Sequence, residues 1–481
     1  MRSIRGLLTR LVLAGAMLAA AGCGGGGGAD PGTQRVTVAN VVSFWSEDGT
    51  SRDEASPATI QGVVFSQGFG TAGQRDYPGI RNADGSWSAE IPKGPYWAKV
   101  TGGGLETSWY EVASGGATLD LGGDQWNQRG GLAAPTPVTF DVSGLNPWIA
   151  GDELRVYGWN AEAVMASAPA LAPGAQAGSA TYDWTANWAS LLQPADQLWV
   201  TQVRPVTASD GGVSRSIVSA RSVSGVSMTD GAPLTVPVAG MSEPAALGSL
   251  ALDWRLSQFE AAAQPGVQPG GSTVRVWSQP VPTYVGGPVL SLLELAPVAT
   301  GDHDYGTLPY GRPLPSTWHE VVDAAWRGSV TRIVGTLRTA TFQVRVTRTD
   351  PAGTAPTPMV PYVGAVTGFR VGGRDAMVPL TGVGLTPTLS WDPPPVGVPT
   401  GYIVGLNELP GAGSPASTVL VARINTTGTT FTLPAGLLQA GKTYVVQVTA
   451  MRNRIVLGSA RAWRVAGPWG SATSWSETIK P

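Results

Sequence analysis

Residues 437–451, LLQAGKTYVVQVTAM, decide the reading of the whole chain. Gly441 marks a turn, and beyond it Tyr444, Val446, Val448 and Ala450 fall on one face at the two-residue period of a pleated strand. A tyrosine opening such a strand buries its ring and needs a partner for its hydroxyl, and backbone at the preceding bend is within reach. The pattern recurs elsewhere. In "TFQVRVT" (341–347), Phe342, Val344 and Val346 face one way while Gln343, Arg345 and Thr347 face the other, as in a strand with one side in a core. In "DQLWVTQVRPV" (196–206), Leu198, Val200 and Gln202 alternate with Trp199, Thr201 and Val203.

Composition agrees with this local reading. Gly (65) and Pro (39) make about a fifth of the 481 residues and charged residues only 13%, with Val, Thr, Ser and Trp in short bursts between them. Gly and Pro punctuate turns, and β-branched and aromatic residues suit a half-buried pleated surface. The expected fold class is therefore all-β, as tandem β-sandwich domains with at most one or two short helices. At ~100–200 residues per domain, the length calls for three or four of them.

The fourth block, about 362–465, carries the strongest resemblance. "PTLSWDPPP" (387–395), "TGYIVGLNEL" (400–409) and the 437–451 stretch resemble the fibronectin type III domain. The resemblance makes Trp391 the early-strand core tryptophan, Tyr402 the start of the next long strand, and Leu438, Gly441 and Tyr444 a tyrosine corner. It implies a binding or spacer module, since such domains carry no chemistry of their own. In the first block, about 35–130, "ATIQGVVF" (58–65) is followed by the turn signal Asn82-Ala83-Asp84-Gly85 and by Ile91-Pro92-Lys93-Gly94-Pro95-Tyr96. That order resembles the carboxypeptidase-regulatory-like, or transthyretin-like, sandwich module. Between them a second sandwich is expected over 131–242 and a β-rich third block over 243–352. In the third, Leu252, Leu256 and Phe259 recur at helical spacing and predict one short helix. Residues 353–361 read as a linker and 466–481 as a C-terminal tail.

The amino terminus has its own logic. Arg2 and Arg5 precede an apolar run from Leu11 to Ala21, too short for the ~20 residues that span a bilayer and of the length of a secretory signal. Cys23 is the one cysteine in the chain, set in "LAAAGCGGGGGAD" (18–30). Ala20-Ala21-Gly22-Cys23 resembles the lipobox of bacterial lipoproteins, with Ala20 where that family usually has Leu, Val or Ile. The resemblance implies cleavage between Gly22 and Cys23, covalent lipid on the Cys23 sulfur, and, with no Asp next to the cysteine, placement at the cell outer membrane. Acyl chains contribute ~0.8 kcal/mol per buried CH₂, and stable anchoring takes more than one chain. Residues 24–34 then form a glycine-rich tether reaching on the order of 20 Å. With one cysteine, no intrachain disulfide can form, so the modules must be held by their cores.

Chemistry-bearing patterns are sparse. His303 and His319 are the two histidines. Asp302-His303-Asp304 cannot turn three ligands inward from consecutive strand positions, so it reads as a solvated loop and no metal site is expected. His319-Glu320-Val321-Val322-Asp323 superficially matches a zinc-protease helix, yet its second ligand would be Asp323 and a third histidine is lacking, so a packed strand, or a short helix capped by Thr317, is expected. Gly68–Gly73 spells a dinucleotide fingerprint with no helix after it and reads as a glycine loop. No cofactor is expected. Of the enzyme classes, a two-carboxylate glycosidase is the one the residue types leave open. The net charge of −2 lacks the basic excess that tracking a phosphate backbone needs, which argues against nucleic acid. Among the 18 tryptophans, Trp184 and Trp188 in "YDWTANWAS" (182–190) are the candidates for stacking on sugar faces; on one strand they would sit about 13 Å apart on the same face. The functional expectation is a lipid-anchored binding or adhesion protein without catalysis, whose partner is the membrane through Cys23 together with a polysaccharide or protein ligand. The alternatives are a carbohydrate-binding or carbohydrate-active envelope protein and a structural envelope component.

Overall fold

The computed structural model describes residues 32–481 apart from 56–59, 103–106, 113–117, 127–130, 186–188, 208–211, 283–288, 297, 299, 335–337, 410–417 and 454–466. Among the described residues the regular elements are strands, except for the helix Leu256–Ala261 and the 3-10 turn Ala352–Thr354. The protein is all-β.

The fourth module is a two-sheet sandwich. One sheet runs Arg374–Asp375, Thr367–Val371, Thr388–Asp392, Thr430–Thr432; the other includes Val419–Thr426, Gly401–Leu409, Thr443–Arg452 and Trp469–Trp475, in that order. Between them Trp391, Tyr402, Leu438 and Tyr444 are buried with Leu389, Val404, Ile424, Val446 and Val448. The Tyr444 hydroxyl accepts the Gln439 N–H at 3.0 Å, which ties the strand start to the bend before it, and Gly441 takes a left-handed φ of 80° that a side chain would resist.

The first module has the sheet Thr118–Asp120, Thr33–Ala39, Trp87–Pro92, Ile80–Arg81 facing the sheet Arg75–Pro78, Ile60–Gln67, Tyr96–Gly102, Thr107–Val112. Val36, Val38, Phe65, Ile91, Tyr96 and Ala98 fill the space between. The Asn82–Gly85 turn closes its hairpin, with the Gly85 N–H donating to the Asn82 carbonyl at 3.0 Å. In the second module Ala177–Asp183, Pro137–Ser143 and Leu234–Val238 face a sheet containing Glu153–Gly158, Ala163–Ser167, Leu198–Thr207 and Val213–Val223. The third is built on the long hairpin His319–Val334 and Arg338–Pro351 with Gln268–Gln279 beside it, backed by the pair Leu247–Trp254 and His303–Gly311.

These modules are not beads in a row, because backbone pairing joins the second to the third, the third to the fourth and the first to the fourth. Val213–Val223 of the second block pairs with Ser291–Leu295 of the third. Arg338–Pro351 of the third pairs antiparallel with Trp469–Trp475, and Thr107–Val112 of the first pairs in parallel with Val419–Thr426. The larger sheet of the fourth module is thus paired on both edges. An unpaired edge exposes N–H and C=O groups that invite association, and here neighbouring modules satisfy them.

Three expectations are corrected, and one strand has both faces covered. Residues 466–481 are no tail: Trp469–Trp475 is buried throughout, since it is the central strand joining two modules. Residues 353–361 are no open linker: Met359 is buried, and its N–H donates to the Asp253 carbonyl at 2.8 Å. Leu252 lies in a strand, and the helix starts at Leu256, so the helical spacing straddled a strand end. Residues 198–203 are buried on both faces, Leu198 and Val200 in the core of the second module and Trp199 and Val203 in that of the third.

Candidate functional site

Cys23 and Gly22 lie outside the described residues, as does Trp188. Trp184 does not face solvent. It follows the strand Ala177–Asp183, has no exposed surface, packs 6.4 Å from the Phe140 ring and donates its Nε1–H to the Ser190 carbonyl at 3.0 Å. A fully covered indole cannot stack on a sugar, so Trp184 is a core residue. His319 opens a strand, not a helix. Four strand steps carry the chain about 13 Å from it to Asp323, too far for one metal to hold both. Asp323 instead pairs with Arg275 at 3.3 Å and accepts from the Thr349 hydroxyl at 3.0 Å. Asp302 accepts from Ser257 through its N–H and its hydroxyl, both at 2.8 Å, and these bonds hold its carboxyl below the usual range. Gly68–Gly73 is the turn between Ile60–Gln67 and Arg75–Pro78.

Two of the places where modules meet among the described residues stand out, one aromatic and one hollow. The first is an aromatic joint. Tyr157, Trp159 and Trp199 of the second module meet Trp318 of the third edge-on at centroid distances of 5.1–6.1 Å. A turn of the first module lies on this cluster: the Trp318 Nε1–H donates to the Glu47 carbonyl at 2.9 Å and the Trp159 Nε1–H to the Trp45 carbonyl at 2.8 Å. Burial first, and the charge of Glu47 second, push the Tyr157 phenol well above its ordinary pKa. The arrangement is a lock between three modules, with its polar atoms turned inward.

The second is a pocket of about 460 Å³ where the third and fourth modules meet. It forms because the long strand His319–Val334 carries Arg332 in phase with the buried positions Val322, Ala324, Trp326 and Val330. The guanidinium therefore points into the joint. Its Nε–H donates to the Ser476 carbonyl at 2.8 Å, Nη2 to the Trp475 carbonyl at 3.2 Å and Nη1 to the Thr331 carbonyl at 3.4 Å, and Nη1 lies 3.0 Å from the Glu477 carboxylate. Burial lowers the pKa of Arg332 and Glu477 opposes that shift. Gln264, just past the helix, brackets the Trp475 backbone, accepting its N–H at 2.6 Å and donating to its carbonyl at 3.3 Å. Val366, Phe369 and Met377 supply an apolar wall, and Ser474 lines the pocket with a buried hydroxyl that has no hydrogen-bond partner among the described residues. The arrangement places a neutralised ion pair and a hydroxyl beside apolar surface. It can hold a small ligand by hydrogen bonds.

No family model matches the chain, and no curated protein matches it. Among solved structures it is similar to a leucine-rich repeat protein from Bacteroides thetaiotaomicron, at 19% identity and a TM-score of 0.13, covering 43% of this chain and 26% of that one. It is similar to the FN1–FN3 domains of chicken CNTN1 at 11% identity and a TM-score of 0.14, covering 81% and 96%. For a tetra-tandem repeat in the extending region of a large adhesion protein the values are 12% and 0.12, covering 92% and 99%. The chain spans about a quarter of the first of these. Scores this low do not superpose whole folds, so the module assignments stand on strand order and core residues.

Proposed function

We propose that this protein is a lipid-anchored binding or adhesion protein of the bacterial outer membrane that does no chemistry. The observation that carries the reading is the placement of the chain's one cysteine, Cys23, after a signal-like apolar run and before five glycines. The first described strand begins at Thr33, so about nine residues separate the lipidated cysteine from a folded module. A short glycine-rich tether to a body whose sheets are paired across modules suits presentation of a surface close to the membrane. Its ligand is a polysaccharide or a protein. Cys23→Ser should move the protein from the membrane fraction to the soluble one and abolish labelling by palmitate; a variant that stays membrane-bound would remove the anchor from the reading. A structural envelope role is favoured by one feature, the pairing of both edges of the central sheet. Loss of envelope integrity on deletion, with no ligand bound by the purified protein, would select it.

A further inference from the structure

We infer that the pocket between the third and fourth modules is a binding site for a small neutral polyhydroxylated ligand, a single sugar unit. The inference names a ligand class for the binding reading above and rests on it. Charge selects the class. Arg332 and Glu477 neutralise one another at 3.0 Å, so an anion would have to displace the Glu477 carboxylate and a cation the Arg332 guanidinium. The first exchange strips the half-buried Glu477 of its partner, and the second leaves the buried Arg332 guanidinium uncompensated. A hydroxyl, which donates and accepts at once, can bond to both partners and leave the pair intact.

Donors and acceptors remain for such a ligand. The guanidinium has five N–H groups, and its four contacts to Ser476, Trp475, Thr331 and Glu477 leave one on Nη2 without an acceptor among the described residues. Arg332 touches Glu477 through one carboxylate oxygen. The buried Ser474 hydroxyl has no partner among the described residues, and a polar group left so is destabilising unless something fills the role. A volume of about 460 Å³ accommodates one pyranose ring, with Val366 and Met377 against its C–H face.

The test uses the detergent-solubilised full-length chain, titrated with glucose, galactose, mannose, N-acetylglucosamine and glucuronate, with binding read by saturation-transfer NMR and calorimetry. At least one neutral sugar should bind. Ser474→Ala removes a hydroxyl that bonds nothing among the described residues, so the melting temperature should hold or rise while affinity falls roughly tenfold, the value of one good hydrogen bond. Met377→Trp fills the pocket and should abolish binding. Equal or tighter binding of glucuronate would overturn the neutral-ligand assignment. Sugar binding that survives both substitutions would place the ligand elsewhere, leaving the binding reading intact and this site refuted. No sugar bound, while cells or matrix proteins are captured, would likewise sink the site alone. If nothing is bound at all, both readings fail.

Discussion

The modules are joined in two ways, and the two joints obey different physics. At the edges of the fourth module the joint is backbone: Val346–Thr349 pairs with Trp469–Ala472 and Thr107–Tyr110 with Ala422–Asn425, in fixed register. At the other end the joint is made of side chains, with Trp159, Trp199 and Trp318 gathered beneath the turn that carries Glu47. A ladder spreads its energy over many hydrogen bonds worth about 0.5–1.5 kcal/mol each, so no single side chain governs it. An aromatic cluster concentrates energy in a few residues. The first should yield gradually to substitution and the second abruptly.

The largest effect should therefore come from Trp318→Ala. The ring is buried against three aromatic partners and its Nε1–H holds the Glu47 carbonyl, so the loss should be about 3–5 kcal/mol. Denaturant titration should show a fall of that size. Hydrogen exchange should show faster opening of residues 41–55 than of 469–475. Equal acceleration in both segments would mean the two joints are one cooperative unit.

Acid should attack neither joint first. Asp152 lies in the second module with its side chain fully covered; burial opposes its charge, but bonds from Arg204, the Ile149 N–H and Gln202 outweigh that and hold its carboxyl below 3.8. A depressed native pKa makes ionisation stabilising. The contribution is whole above about 3.8, the unfolded value, and drains away as pH falls from there to the lower native value. Between pH 5 and pH 2, Asp152→Asn should be less stable than the parent at the upper end and should lose less on acidification. Parallel pH curves for the two proteins would remove Asp152 from the account.

The same contrast explains what was legible in the sequence. One-sided strands announce themselves: Phe342, Val344 and Val346 are buried and Gln343 and Arg345 exposed, as the alternation requires. Strands at module boundaries do not, because their second face is covered by residues far away in the chain. Thr201 and Gln202 look like outward positions yet are buried, with Gln202 donating to Asp152 at 2.7 Å and Thr201 to the Arg155 carbonyl at 3.3 Å. Trp184 failed as a surface candidate for the same reason, since a tryptophan just past a strand end carries no sign of which way its ring turns. The pocket did leave one trace. Arg332 keeps the phase of a buried set while Thr331 and Ile333 beside it are exposed, and an arginine there demands a partner. That partner, Glu477, lay in the segment read as a tail.

A smaller effect is expected where the first and fourth modules touch outside the ladder. Phe69, stacked on Trp97 of its own module, lies 6.4 Å from the Phe431 ring of the fourth, and the adjoining Gly70 has a φ of 72°, where an added Cβ would collide with the Thr432 carbonyl. Gly70→Ala should cost about 1–2 kcal/mol from the backbone conformation alone and more from the collision. Calorimetry should show the fall. An unchanged melting temperature would mean the turn shifts away and the ladder holds the two modules unaided.

The smallest effect tests the element from which the fold was read. Tyr444→Phe keeps the buried ring and deletes the oxygen that accepts the Gln439 N–H, leaving packing intact and one backbone donor without its partner. The expected loss is about 1 kcal/mol, the net worth of one such bond, rising toward 3 if water cannot reach the freed N–H. Because the bond ties a bend to a strand within one module, the loss should not depend on either joint. Combined with Trp318→Ala the two losses should add within about 0.5 kcal/mol, as they do for distant sites with no shared partners. A larger coupling energy in that double-mutant cycle would show that the corner and the aromatic joint communicate along the sheet, through Thr443–Arg452, Trp469–Trp475 and Arg338–Pro351. The backbone joint would then be the route by which disturbance in one module reaches another.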